Sequence, residues 1–167
     1  SYVPGALAAR PTLAADPARS AIRVRLALNG IDVLARNKFS QLKDLRVGLI
    51  TNHTGLSSDR RRTIDLLAEA PGVRLAAILT PEHGLTGLSE GKVAAGRDAV
   101  NRVPVYSLYG DTLRPTPAML KGLDALVFDI QDIGCRFYTY ISTLGLCLEA
   151  AAKAKIKFVV LDRVNPI

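Results

Sequence analysis

The chain holds two histidines, His53 and His83, and each directly follows a short apolar run. His53 sits in Asn52-His53-Thr54-Gly55, and His83 in Thr80-Pro81-Glu82-His83-Gly84. Glu82 can give or take a proton, with an imidazole beside it in sequence. Other polar groups follow apolar runs in the same way. They are Tyr109-Gly110-Asp111; Asp129 with Gln131, Asp132 and Arg136, running into Phe137-Tyr138-Thr139-Tyr140; and Asp162-Arg163 with Asn165. Carboxylates, arginines, amides and tyrosines suit a polar, neutral-to-anionic ligand such as a sugar. An aromatic face offers apolar area with a hydroxyl handle. Trp is absent, so stacking on a sugar ring falls to Tyr106, Tyr109, Tyr138 or Tyr140.

Each of these residues also has a plainer role. Asn52 and Thr54 suit a turn, where short polar side chains bond nearby backbone. Asp162 can pair with Arg163, a lone histidine after a strand can serve packing, and Tyr138 or Tyr140 can anchor a helix start in the core. Cys135 and Cys147 form no disulfide framework and no zinc-type spacing, and they read as inert small side chains. The chain has no phosphate-loop sequence, no Gly-x-Gly-x-x-Gly after a strand and no Gly-x-Ser-x-Gly elbow. Those gaps disfavour nucleotide binding and serine hydrolysis. No metal or organic cofactor is implied.

The elements that must position these groups are legible in the apolar pattern. The chain has 167 residues, 49% apolar and 22% charged, the balance of one globular domain. Its net charge of +7 is spread along the chain rather than gathered in a stripe, which disfavours nucleic acid as a partner. No apolar run is long enough to cross a bilayer. Residues 1–25, punctuated by Pro4, Pro11 and Pro17, read as a poorly ordered leader or linker, and residues 26–167 as one α/β domain.

An amphipathic piece spans 28–37. Runs at 46–52, 73–79, 104–108, 123–130 and 158–161 read as strands. A helix capped by Ser57 or Ser58, with Asp59 in its first turn, is expected to bury Ile64, Leu67 and Ala68 before Pro71-Gly72 stops it. A second, over 138–153, carries Ile141, Leu144 and Leu148 on one side. Strands alternating with helices imply an open, mostly parallel, Rossmann-like sheet with helices on both faces. Ligands bind such a sheet beyond the carboxyl ends of its strands, where the polar groups above collect. The connection over 80–102, with Gly84, Gly87, Gly91 and Gly96, is long enough to read as functional.

Several long motifs occur in one order: Asn29-Gly30-Ile31-Asp32-Val33-Leu34, Val47 to Gly55, Pro81-Glu82-His83-Gly84 and Tyr106-Ser107-Leu108-Tyr109-Gly110. They continue with Pro115-Thr116-Pro117, Val127 to Gly134 and Arg136-Phe137-Tyr138-Thr139-Tyr140. From Asn29 onward the chain closely resembles the N-terminal domain of the NamZ-type exo-β-N-acetylmuramidases. Val164 departs from the family's usual Pro, and Cys135 from a small residue such as Ala.

The resemblance implies a glycoside hydrolase that removes N-acetylmuramic acid from the non-reducing end of peptidoglycan fragments in cell-wall turnover. It also implies a smaller C-terminal domain, expected to be absent here, and a periplasmic or secreted location, with the cytoplasm as the alternative. Glu82 matches the family's catalytic glutamate and is the expected general acid, tuned by His83 or Arg136. Asn52 and His53 would hold the sugar or its acetamido group, with Tyr109, Gln131, Tyr138 and Asn165 as further substrate contacts. Arg136 or Arg163 would meet the lactyl carboxylate. Asp129 or Asp132 would serve as second catalytic group, unless the substrate's own acetamido group acts. The alternative is a truncated domain that binds muramoyl fragments without turnover.

Overall fold

The structure is a computed structural model and describes residues 27–87 and 96–166. The expected leader over 1–25 and Gly91 of the long connection lie outside the described residues. Apolar runs become central strands when both of their faces can be covered. β1 (Arg46–Thr51) and β5 (Ala125–Asp129) lie side by side, and every residue in them except Arg46 is buried. β2 (Arg74–Thr80) and β4 (Pro104–Ser107) extend the sheet beyond β1, and β6 (Lys157–Val160) extends it beyond β5. All of these pairings are parallel. The sequence pattern shows no sign of β3 (Gly96–Arg97), an antiparallel edge piece on β4, because two residues carry no period. The order β3-β4-β2-β1-β5-β6 reverses direction between β1 and β5, where a crevice opens in sheets of this kind.

Alternation along the strands splits the core into two layers. Val47, Leu49, Ala125 and Val127 face α1 (Gly30–Arg36), a 3₁₀ turn at Ser40–Leu42 and α2 (Thr63–Glu69). Ile50, Leu126 and Phe128 face α3 (Pro117–Leu120) and α4 (Tyr140–Ala154). Gly30 is required where α1 begins. Its N–H donates to the Asp162 carbonyl at 2.6 Å, and a Cβ there would stand 2.5 Å from the Leu161 Cα.

Two helical expectations are corrected. α2 starts at Thr63 rather than after Ser57 or Ser58, because both serines are used elsewhere. The Ser57 hydroxyl accepts from the Arg61 amide at 3.1 Å. Ser58 donates to Asp32 through both its amide and its hydroxyl at 3.0 Å. Leu56 and Arg62 close this loop with an isolated antiparallel bridge, and Asp65 takes the first-turn place expected of Asp59. Ile64 and Leu67 are buried as expected, whereas Ala68 is exposed.

On α4, Leu144 packs inward, but Ile141 and Leu148 are 66% and 51% exposed. The buried stripe is Tyr140, Cys147, Ala150 and Ala151. Small side chains let the helix approach the sheet, and that close approach outweighs burying the larger residues one step around. Burial pushes the Cys147 thiol up to about 12, in keeping with an inert packing role.

Arg62, just before α2, ties this helix to the chain after β3. Its guanidinium donates to Asp65 at 2.6 and 2.9 Å and to the buried Asp98 at 2.8 Å. The Arg62 hydrogen bond holds Asp65 below the usual carboxylate range. Burial pushes Asp98 up, but Arg62 and the Asn101 and Val100 amides outweigh it and leave that carboxyl lowered. A depressed carboxyl adds stability that is complete above its unfolded pKa, near ~4, and is lost as pH falls through the folded value. Arg62→Met is therefore expected to cost about 2 kcal/mol at neutral pH, less than a fully buried pair would. In urea unfolding the cost should shrink progressively once pH drops below about 4. An equal cost at both ends of that range would contradict the ion-pair assignment.

Candidate active site

The carboxyl edge of the sheet is organised by short hydrogen bonds between loops. After β1, the Asn52 Oδ1 accepts from the Thr54 amide at 2.9 Å and the Thr54 hydroxyl at 2.6 Å. That hydroxyl in turn accepts from the Gln131 amide after β5 at 2.9 Å. The turn role read for Asn52 and Thr54 thus also stitches together the loops of the two strands at the reversal point. Asn52 is only 4% exposed, and its buried side chain lies against the Tyr140 phenol.

After β2 the chain turns through Pro81, Glu82, His83 and Gly84, with the Gly84 amide bonded back to Pro81. His83 and Gly84 are both left-handed, each at φ 68°. The turn leaves Glu82 half-buried and His83 exposed. Two hydroxyls reach the Glu82 carboxylate. Thr139, at the start of α4, donates to Oε2 at 3.2 Å, and the Tyr109 phenol lies near this carboxylate. That interaction with Glu82 holds the Tyr109 phenol above its ordinary pKa. Thr139 stands at the N-cap of α4 yet makes no capping bond.

A cavity of about 260 Å³ opens beside Glu82, lined by His53, His83, Gly87 and the run from Phe137 to Tyr140. The rings of Tyr138 and Tyr140 meet edge to face at 5.0 Å, and Phe137 meets Tyr138 at 6.1 Å. Burial raises the pKa of the Tyr140 phenol, Tyr138 adds to the rise, and the neighbouring Asn52 side chain pulls against it. A second cavity, of about 220 Å³, lies on the other flank of Glu82 and is lined in part by Tyr109.

The sequence-derived candidates therefore divide. Glu82, His53, His83 and Tyr138 converge on the first cavity, and Tyr109 joins Glu82 at the second. Asn52 sits behind the first cavity, near Tyr140. Asp129 is fully buried and turned the other way. It accepts from the Arg163 Nε at 2.6 Å, from a second Arg163 nitrogen at 3.0 Å and from the Thr63 hydroxyl. Arg163 also donates to the Leu56 carbonyl at 2.8 Å. These two residues bolt the rim together and line neither cavity.

Gln131 donates to the carbonyls of Asp132 and Val164 at 2.8 and 2.9 Å. Asp132 accepts from the Gly134 amide at 2.7 Å through one oxygen, and its other oxygen is buried without a partner. Arg136 and Asn165 are exposed on the same edge. Gly87, Phe137 and Thr139 line the first cavity without having been singled out from sequence. Thr139 was hidden because a hydroxyl at a helix start reads as a cap. Among the described residues, no group of three His, Cys, Asp or Glu side chains could hold a metal ion, and no helix is long and apolar enough to cross a membrane.

Fold and site together define a doubly wound α/β domain whose cleft at the strand carboxyl ends is centred on one carboxylate. Residues 47–167 match the family described as exo-beta-N-acetylmuramidase NamZ, N-terminal, and the chain belongs to that family. It is 49% identical over 139 residues to the peptidoglycan beta-N-acetylmuramidase NamZ of Bacillus subtilis, covering 82% of this chain and 34% of that protein. Two crystal structures of DUF1343 family proteins from Bacteroides fragilis share its fold. One has a TM-score of 0.77 at 52% identity and the other 0.68 at 34%, each over 83% of this chain and 35% of theirs. The chain thus spans about a third of the length of these relatives.

Gly87 fixes His53 by close approach. It is left-handed at φ 74°, and a Cβ there would stand 2.3 Å from the His53 Nδ1. Gly87→Ala is expected to displace the imidazole and to cost about 1–2 kcal/mol through the left-handed backbone alone. NMR of the His53 ring protons checks this, and unchanged resonances would count against a fixed imidazole.

Proposed function

We propose that this chain carries the catalytic region of an exo-acting glycoside hydrolase that releases N-acetylmuramic acid from the non-reducing end of peptidoglycan fragments, with Glu82 as its proton donor. Family membership supports the reaction class. One structural observation supports the role of Glu82: it is the carboxylate shared by both cavities at the strand ends, with the Thr139 hydroxyl donating to it. Glycoside cleavage needs a proton delivered to the departing oxygen while the C–O bond breaks and its electron pair leaves with that oxygen.

The other half of the chemistry must stabilise positive charge at the sugar carbon. Asp129 is saturated by Arg163 and Thr63, and among the described residues Glu82 is the only carboxylate lining either cavity. That arrangement favours assistance by the substrate's own acetamido oxygen, which bonds to the sugar carbon as the leaving group departs and is later displaced by water. Asn52 is buried and lines neither cavity, so it shapes the loop that carries His53 rather than meeting the sugar. With Arg163 committed to Asp129, Arg136 is the guanidinium left to meet the lactyl carboxylate as a fork. A periplasmic or secreted location, with the cytoplasm as the alternative, belongs to the same proposal.

Hydrolysis of a chromogenic N-acetylmuramide by this chain tests the reading. Glu82→Gln should lower turnover by at least about 10²-fold with the thermal midpoint unchanged, and unaltered turnover would remove Glu82 from the mechanism. If calorimetry detects the muramoyl disaccharide binding but no hydrolysis occurs, the second reading is selected, a muramoyl-fragment binding domain. Arg136→Ala should weaken muramoyl ligands about tenfold or more relative to N-acetylglucosaminyl ones, the scale of a lost charged hydrogen bond. Equal losses for both would exclude the carboxylate role.

A further inference from the structure

The lysines of this chain are scattered along its sequence, but the fold gathers them. In a parallel sheet the strands start, and the helices between them end, on the edge opposite the cleft. Five of the six described lysines lie there. Lys43 precedes β1, Lys121 precedes β5, Lys153 and Lys155 stand where α4 ends, and Lys157 opens β6. Arg46 and Arg74 open β1 and β2 on the same edge. All seven residues are exposed, and none lines either cavity beside Glu82.

These charges are not offset within the domain. Among the described residues none of the seven belongs to an ion pair, whereas Arg61, Arg62, Arg114 and Arg163 all do. Arg46 and Arg74 face each other in the β1–β2 register, where like charges repel. The Arg46 guanidinium also lies beside the turn at Gly122, next to Lys121, and the Lys43 stem lies beside Gly72, two residues before Arg74. Of the nearby carboxylates, Asp124 accepts the Arg46 backbone amide at 2.7 Å, Glu69 is engaged by Arg61, and Asp44 adjoins Lys43. A helix C-terminus accounts for Lys153 and Lys155, whose charge suits the carbonyl end of α4. Strands carry only small net dipoles, so the same reason does not cover Lys43, Arg46, Arg74 and Lys157.

We propose that this amino edge docks a linear polyanion of repeating phosphate groups, held by charge while the cleft on the far edge stays open. The inference stands apart from the reading of Glu82. Lysine ammoniums are point charges on flexible stems, and a row of them tracks phosphates without fixing their orientation. The connections on this edge, 37–45, 70–73, 121–124 and 153–156, expose no large apolar side chain. A lipid surface would therefore find nothing to bury. Their one aromatic residue, Phe39, packs against the core, so the bases of a nucleic acid would find no ring to stack on. An extended polymer that offers charge alone is the occupant that fits.

Binding of fluorescein-tagged long-chain inorganic polyphosphate to this chain, followed by anisotropy across a salt series, tests the assignment. Each phosphate neutralised on a single strand contributes about 0.7 to the slope of log affinity against log salt. Lys43→Gln combined with Lys121→Gln should lower that slope by about 1.4 and weaken binding tenfold or more at about 50 mM salt. Arg60→Gln combined with Arg136→Gln removes the same charge from the carboxyl edge and should leave both quantities unchanged. Equal losses for the two pairs would reduce the effect to net charge and overturn the docking surface, as would an absence of binding at low salt. Tighter binding to phosphatidylglycerol vesicles or to single-stranded DNA than to polyphosphate, at equal phosphate, would assign the edge to a bilayer or to nucleic acid and overturn the polymer.

Discussion

The rim of this domain depends on a buried charge pair. Asp129 ends β5 inside the protein, and Arg163, just past β6, closes on it with two nitrogens while Thr63 at the start of α2 supplies a hydroxyl. Arg163 also holds the Leu56 carbonyl, so one guanidinium joins the ends of two strands, the start of a helix and the loop after β1. A carboxylate with no exposed surface is tolerated only when its oxygens are engaged, and removing the partner of such a pair typically costs about 3–5 kcal/mol. Asn52, Thr54 and Gln131 lie directly beside this bolt, and the cleft around Glu82 opens on the same edge. The site is therefore built on a rigid seam, although its working residues sit on loops.

Much of the architecture was legible because the central strands are buried on both faces. The runs containing Val47 to Ile50 and Leu126 to Phe128 admit few alternatives. Legibility failed where local chemistry competed with pattern. Ser57 and Ser58 look like helix caps, but their hydroxyls serve a closed loop and Asp32. On α4 the large apolar residues marked the wrong stripe, since contact with the sheet selected Cys147, Ala150 and Ala151 instead.

The site was legible in part for the same reason. Polar residues just past a strand end usually face the crevice, and Glu82, His53 and His83 do. Asp129 does not follow its strand; it is the strand's last residue. Alternation puts it on the face shared by Ala125 and Val127, toward α2 and away from the cleft. That inward turn could have been read from period two alone. The role of Thr139 could not, because only the folded chain brings it within 3.2 Å of a residue fifty-seven positions earlier.

The close meeting of Gly30 with Asp162 has a separate consequence. Where α1 begins and where the chain has just left β6, the backbone is joined by a 2.6 Å hydrogen bond, so the first helix is held to the chain beyond the edge strand. That single bond closes a loop running through nearly all of the described chain, so loosening either of its partners frees the other as well.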